Sequence, residues 1–120
     1  GNIDAKRDWG HAKDYVEAMW KMLQNKKPND YVISTGKNFT VKQFIQITAK
    51  KLKMKIKWIG KEINEKCIWN NKVIIKIDKR YFRPTEVESL KGNYSKAKKI
   101  LGWKPKIKLE DLIADMILRK

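Results

Sequence analysis

Arginine is rare in this sequence, and two arginines stand where an anion could be bound. Lysine and arginine together number 29, yet only four of these residues are arginine. Arg7 begins the run Arg7–Gly10, which immediately precedes a predicted helix, whose first amides and positive dipole end favour an anion. Arg83 precedes Pro84, which stiffens the backbone. Because a guanidinium binds oxyanions through paired hydrogen bonds, the two arginines could hold a diphosphate from two sides.

A carboxylate three residues beyond Arg83 extends this hypothesis. Glu86 is placed to accept hydrogen bonds from vicinal hydroxyls, such as those of a ribose. The alternative is that Arg83 and Glu86 form an ion pair with each other on the surface, which would contribute little to stability. The residues alone leave both interpretations open, and they assign no role to Arg80 in the same run.

The other reactive side chains have simpler explanations. His11 and Asp14 could form an acid/base pair, but a polar residue and an acid are also common at the start of a helix. Tyr94 and Lys98 match the Y-x-x-x-K pair of short-chain dehydrogenases, a match that so many lysines make expected by chance. The glycine-rich turn that would bind a dinucleotide is missing from the sequence. We therefore predict no catalytic, cofactor-binding or metal-binding residues in this chain.

The composition limits the possible partners and compartments. A net charge of +16 is compatible with nucleic-acid binding, but the charge is mostly lysine spread along the chain, whereas arginine reads phosphates and bases better. A basic nucleic-acid-binding module is therefore a secondary hypothesis. The lone cysteine fits a reducing cytosol. With no long apolar run and no signal-peptide pattern, we expect a cytoplasmic chain that does not contact a membrane.

Hydrophobic periodicity and capping signals predict a mixed α/β chain. Asp8 is the expected cap of the first helix, and a capping box is predicted between Thr40 and Gln43 at the start of the second. Gly102 should end a short helix. Residues 61–72 are a predicted loop. The predicted elements are helices at residues 12–23, 41–52, 96–101 and 109–117 and strands at residues 31–35, 55–59 and 73–77.

Several motifs together resemble those of GDP-mannose 4,6-dehydratases. Residues 1–20 read G-N-I-D-A-K-R-D-W-G-H-A-K-D-Y-V-E-A-M-W, and residues 81–87 read Y-F-R-P-T-E-V. K-A-K at residues 96–98 and L-G-W-K-P at residues 101–105 follow in the expected order. The resemblance extends over essentially the whole chain. Asn93 departs from it, because the family usually has an acid at that position.

The resemblance implies a fold and a division of labour. Residues 1–120 would be the C-terminal, GDP-sugar-binding portion of an extended short-chain dehydrogenase/reductase with a Rossmann-like fold. The N-terminal Rossmann domain, which binds NADP and carries the catalytic Tyr, Lys, Thr and Glu, would be missing. By their places in the motifs, Arg7 and Arg83 would contact the diphosphate of GDP-mannose and Glu86 the ribose hydroxyls. Residues 31–35 and the helix after them would pack against the Rossmann domain.

The family's reaction gives the expected activity of the whole enzyme. C4 of the mannose is oxidised by hydride transfer to NADP, water is eliminated across C5 and C6, and the hydride returns to C6. The product, GDP-4-keto-6-deoxymannose, is a precursor of GDP-fucose. We expect this chain to be inactive alone and to act with its Rossmann domain in a homo-oligomer. The close alternative is the substrate domain of another nucleotide-sugar epimerase or dehydratase.

Overall fold

The computed structural model describes residues 1–119, and these residues divide into two compact units. The first unit consists of residues 1–5 and 40–88, and the second of residues 6–39 together with the described residues from 89 onward. The chain therefore contributes two separate stretches to each unit.

Helices and short strands alternate along the described chain, as the sequence predicts for the mixed α/β class. The predicted helices and the strand at residues 73–77 are confirmed to within one or two residues, and the strand predicted at 55–59 begins later. In chain order the elements are β1 (Lys6–Arg7), α1 (Ala12–Gln24), β2 (Phe39–Thr40), α2 (Val41–Lys51), β3 (Lys57–Ile59), β4 (Lys66–Trp69), β5 (Lys72–Lys76), α3 (Ser95–Leu101) and α4 (Leu109–Leu118), with 3₁₀ turns at Glu62–Asn64 and Lys79–Tyr81.

The core of the second unit is built around Trp103. Its side chain is fully buried against Ala18 of α1 and Ala97 of α3. The indole Nε1–H donates a 2.8 Å hydrogen bond to the carbonyl oxygen of Asp14, and the Tyr94 ring meets the indole edge-on at 5.8 Å between centroids. Small residues on both helices leave room for one large aromatic ring, so this ring joins α1 to α3.

The start of α1 differs from the prediction. His11 is the N-cap, and its Nδ1 accepts the backbone N–H of Lys13 at 3.0 Å. The prediction that Asp8 caps this helix is wrong. The Asp8 carboxylate instead accepts hydrogen bonds from other backbone segments of the second unit. A ring nitrogen therefore satisfies one of the free N–H groups at the helix start.

The strand predicted at residues 31–35 is not formed within the described chain. These residues belong to no helix or strand, and Gly36, which follows them, has a positive φ of +74°. Val32 leaves 55% of its surface exposed. A strand is defined by its pairing with a neighbour, and no segment of residues 1–119 pairs with this one.

In the first unit, α2 begins with the predicted capping box. The Thr40 hydroxyl accepts the N–H of Gln43 at 3.0 Å, and the Gln43 side chain accepts the N–H of Thr40 at 2.7 Å. The carbonyl oxygens of Ile3 and Ala5 accept the next two free amides of the helix. The N-terminal stretch of the chain thereby completes the hydrogen bonding of the α2 start.

The apolar stripe predicted for α2 is confirmed only in part. Ala49 is buried and Phe44 and Ile45 are half-buried, whereas Leu52 lies just past the helix and is 46% exposed. The helix therefore packs through the middle of its stripe.

Strands β3, β4 and β5 form an antiparallel sheet in that order, and Cys67 lies at its centre. Cys67 pairs with Trp58 on one side and with Ile75 on the other. Its thiol is fully buried, and this burial raises the thiol pKa. The prediction of a loop at residues 61–72 is wrong, because this range contains a 3₁₀ turn and strand β4. Asn70 and Asn71 form a tight turn, with φ of +49° and +60°, that joins β4 to β5. Asparagine tolerates this left-handed conformation.

Candidate functional site

Arg7 lies on β1 in the second unit and is half-buried. Its guanidinium Nη1 donates a 2.8 Å hydrogen bond to the carbonyl oxygen of Lys6. The backbone of Lys6 forms a parallel bridge with Ser89, and the Leu90 N–H donates to the Lys6 carbonyl at 3.0 Å. The strand therefore holds Arg7 beside the segment that follows Ser89.

Asp8 fixes the backbone next to Arg7. Its carboxylate accepts the N–H groups of Thr35 at 2.9 Å, Gly36 at 2.9 Å and Gly92 at 3.2 Å, and also the Thr35 hydroxyl. A Cβ at Gly92 would lie 2.3 Å from the Ser34 side chain, so only glycine fits there. Asp8 thus has a structural role that the sequence did not predict, because its partners are distant along the chain.

A surface cavity of about 400 Å³ opens beside Arg7 in the second unit. Two of the residues beside it, Arg7 and Lys91, are basic, and Trp9 is aromatic. The residues that line it are Arg7, Asp8, Trp9, Leu90, Lys91 and Gly92. A cavity with this lining suits an anionic group that carries, or lies near, an apolar portion.

Arg83 and Glu86 lie at the two ends of one turn in the first unit. The Glu86 N–H donates to the Arg83 carbonyl at 3.2 Å, and residues 84–85 form the turn between them. The Arg83 side chain is exposed, and Glu86 is half-buried. Arg83 is not helical, as its position before Pro84 predicts. The structure thus brings two of the three predicted site residues onto one short segment, while Arg7 belongs to the second unit.

The structure gives Arg80 a partner. Its guanidinium donates from Nε and Nη2 to both carboxylate oxygens of Asp78, at 2.7 to 3.2 Å, and its backbone N–H donates to the same carboxylate at 2.9 Å. These hydrogen bonds lower the pKa of Asp78 and raise the pKa of Arg80. The guanidinium also lies 5.5 Å from the Tyr81 ring centroid. Arg80 therefore holds the 3₁₀ turn that precedes Arg83.

His11 and Asp14 do not form an acid/base pair. The His11 Nε2 lies 2.9 Å from the Asp115 carboxylate, and this hydrogen bond, followed by that of Arg119, lowers the pKa of Asp115. The buried Asp14 carboxylate accepts the N–H groups of Lys106 at 3.0 Å and of the next residue. Both side chains fix backbone and helix contacts, which agrees with the structural interpretation.

Tyr94 and Lys98 occupy a core-packing and a surface position, respectively. Tyr94 packs on the core indole, and Lys98 is exposed on α3. Asn93, at the position where the family usually has an acid, accepts the Ser95 N–H at 3.0 Å and so supports the start of α3. Within residues 1–119, no three acidic, His or Cys side chains form a group that could hold a metal ion. No helix in the same range has the length and apolar character needed to cross a membrane.

Comparison with known proteins identifies the family. The profile described as GDP-mannose 4,6 dehydratase matches residues 1–116. The chain belongs to this family. It is 50% identical to the GDP-mannose 4,6 dehydratase of Dictyostelium discoideum and 49% identical to that of Homo sapiens, with 99% and 98% of this chain covered. The matches cover 34% and 32% of those relatives, so the chain spans about a third of their length.

Solved structures show the fold. The chain is similar to RMD from Pseudomonas aeruginosa, with a TM-score of 0.68 and 19% identity, over 94% of this chain and 32% of that one. It is similar to UDP-glucose 4-epimerase from Thermotoga maritima, with a TM-score of 0.70 and 22% identity, over 99% of this chain and 33% of that one. The chain therefore has the mixed α/β fold of the matched third of each of these two proteins.

Proposed function

We propose that this chain forms the substrate-binding portion of a GDP-mannose 4,6-dehydratase. The whole enzyme would convert GDP-mannose to GDP-4-keto-6-deoxymannose and water. The observation that carries the proposal is the 50% identity to a family member over 99% of the chain, which includes the segments of Arg7 and Arg83. The proposed task of this portion is to hold the GDP end of the substrate.

The proposed contacts follow from the chemistry of three side chains. Arg7 and Arg83 would bind the diphosphate, because a guanidinium presents paired donors to phosphate oxygens. Glu86 would accept hydrogen bonds from the ribose hydroxyls. Two features support these roles: the cationic cavity that Arg7 lines, and the turn that carries both Arg83 and Glu86.

The residues of this chain do not fit NADP. A dinucleotide needs a glycine-rich turn between a strand and a helix, and the glycines here are scattered. We propose that NADP is bound by an N-terminal Rossmann domain of the whole enzyme, where it would supply the hydride acceptor. The part that this chain plays is binding and orienting the nucleotide sugar, so the chain alone should not turn over substrate.

Helix α1 offers a surface for that Rossmann domain. Val16, Met19, Trp20 and Leu23 recur at helical spacing and are 59% to 82% exposed. Such an apolar stripe normally faces a packed neighbour. Residues 31–35 add an extended segment with no strand partner within residues 1–119. We propose that the Rossmann domain covers both features, and that the whole enzyme assembles with copies of itself.

The compartment proposed for the enzyme is the cytoplasm. The basis is Cys67, which is free and fully buried. The sequence contains one cysteine, so no disulfide can form within the chain. This use of cysteine is typical of reducing compartments.

Turnover by the whole enzyme tests the proposed function. A polypeptide that joins this chain to the family's N-terminal domain should convert GDP-mannose to a product lighter by one water, and this chain by itself should not. UDP-glucose, offered to the same preparation, tests the alternative of another nucleotide-sugar enzyme. Loss of water from GDP-mannose with little or no turnover of UDP-glucose supports the proposal, and comparable or greater turnover of the UDP-sugar would refute it.

A further inference from the structure

The cavity beside Arg7 contains a second cation that the family motifs do not assign. Lys91 lies on the segment that runs next to β1, one residue beyond Leu90, whose N–H donates to the Lys6 carbonyl at 3.0 Å. Lys91 lines the same cavity of about 400 Å³ as Arg7. Lys91 is exposed.

Among the described residues that line the cavity, Asp8 is acidic, and its carboxylate is already engaged. Its carboxylate accepts three backbone N–H groups and the Thr35 hydroxyl. The described lining therefore contains two basic residues, Arg7 and Lys91, together with Asp8, whose carboxylate is held by backbone donors of the fold. The aromatic face of Trp9 completes the lining.

The backbone near Lys91 is fixed as well. The N–H of Gly92, the next residue, is one of the donors to Asp8 at 3.2 Å. A Cβ at Gly92 would clash with Ser34 at 2.3 Å, so this stretch is closely packed. A lysine anchored to such a backbone loses less entropy on binding than one on a loose loop.

We propose that Lys91 is a second cationic contact for the substrate diphosphate, beside Arg7. This inference rests on the proposed function. A diphosphate carries more than one negative charge, and Arg7 supplies only one positive charge from the second unit. The lysine ammonium would act as a point charge for the oxygens that the guanidinium fork leaves free.

The test compares Lys91→Gln with Lys99→Gln in the whole enzyme. Lys99 is an exposed lysine on α3 of the same unit that does not line the cavity. We expect Lys91→Gln to weaken GDP-mannose and GDP binding by roughly tenfold, the size of one charge-assisted hydrogen bond. Guanosine, which has no phosphates, should bind both variants equally. Calorimetry gives the affinities, and circular dichroism checks the fold of each variant.

The outcomes separate this inference from the proposed function. If the unchanged enzyme binds GDP-mannose and Lys91→Gln binds it within twofold of that value, Lys91 is not a diphosphate contact. Equal losses for GDP and guanosine, or equal losses in the Lys99 variant, would also overturn the inference. If the unchanged enzyme does not bind GDP-mannose, the proposed function itself fails.

Discussion

Arg80 and Arg83 lie three residues apart, and the structure gives them different surroundings. Arg80 binds both oxygens of Asp78 and holds a 3₁₀ turn. Arg83 follows on an exposed turn that also carries Glu86. In a chain whose basic residues are mostly lysine, arginine occurs twice in this run. One guanidinium fork binds a carboxylate of the chain, and the other is proposed to bind a diphosphate.

Arg83→Lys should weaken GDP-mannose binding by the whole enzyme. Lysine keeps the charge but loses the paired donors, so we expect a loss of roughly tenfold in affinity. Arg80→Lys is the matched control, because its guanidinium contacts Asp78. Calorimetric titration with GDP-mannose measures both variants. Unchanged affinity in Arg83→Lys would exclude the proposed role of Arg83.

Asp8→Ala should destabilise the second unit. The substitution leaves the N–H groups of Thr35, Gly36 and Gly92 without their acceptor. Because these donors are only part-buried, water can replace some of the lost hydrogen bonds, and we expect a loss of about 1–3 kcal/mol in the free energy of unfolding. Urea unfolding measures this free energy, and Asp30→Ala, at an exposed residue, is the control. Equal unfolding midpoints for the two variants would contradict the role of Asp8.

At the scale of elements, features that depend on residues close in sequence are predicted well, whereas features that depend on pairing between distant segments are predicted less well. The capping box, the glycine that ends α3 and the helical spacing of α1 and α4 depend on residues close in sequence, and all are found. The strand predicted at residues 31–35 depends on pairing, and these residues find no strand partner within residues 1–119. The sequence places Asn70 and Asn71 in a predicted loop because both are polar, but asparagine also tolerates the positive φ that this tight turn requires.

Thr40→Ala tests whether the α2 capping box stabilises the first unit. The substitution removes the hydroxyl that accepts the Gln43 N–H, and we expect it to cost about 1 kcal/mol of unfolding free energy. Gln43→Ala removes the reciprocal hydrogen bond. Urea unfolding of both single variants and the double variant gives their coupling. Strictly additive effects would show that the two hydrogen bonds act independently.

At the scale of the whole molecule, the sequence motifs predicted the family and the side chains proposed to bind GDP. Arg7, Arg83 and Glu86 could be named because each belongs to a contiguous motif. Lys91 and the role of Asp8 could not, because they depend on contacts such as that between Asp8 and Gly92, 84 residues apart. The exposed stripe of α1 was visible as a pattern, but its exposure required the structure.

Substrate selection by the whole enzyme tests the central proposal most directly. The ratio of kcat/KM for GDP-mannose to that for UDP-glucose should be measured on a polypeptide that contains this chain and the family's N-terminal domain. We expect dehydration of GDP-mannose and little or no turnover of UDP-glucose. Comparable or greater turnover of UDP-glucose, or no reaction with GDP-mannose, would contradict the proposed function.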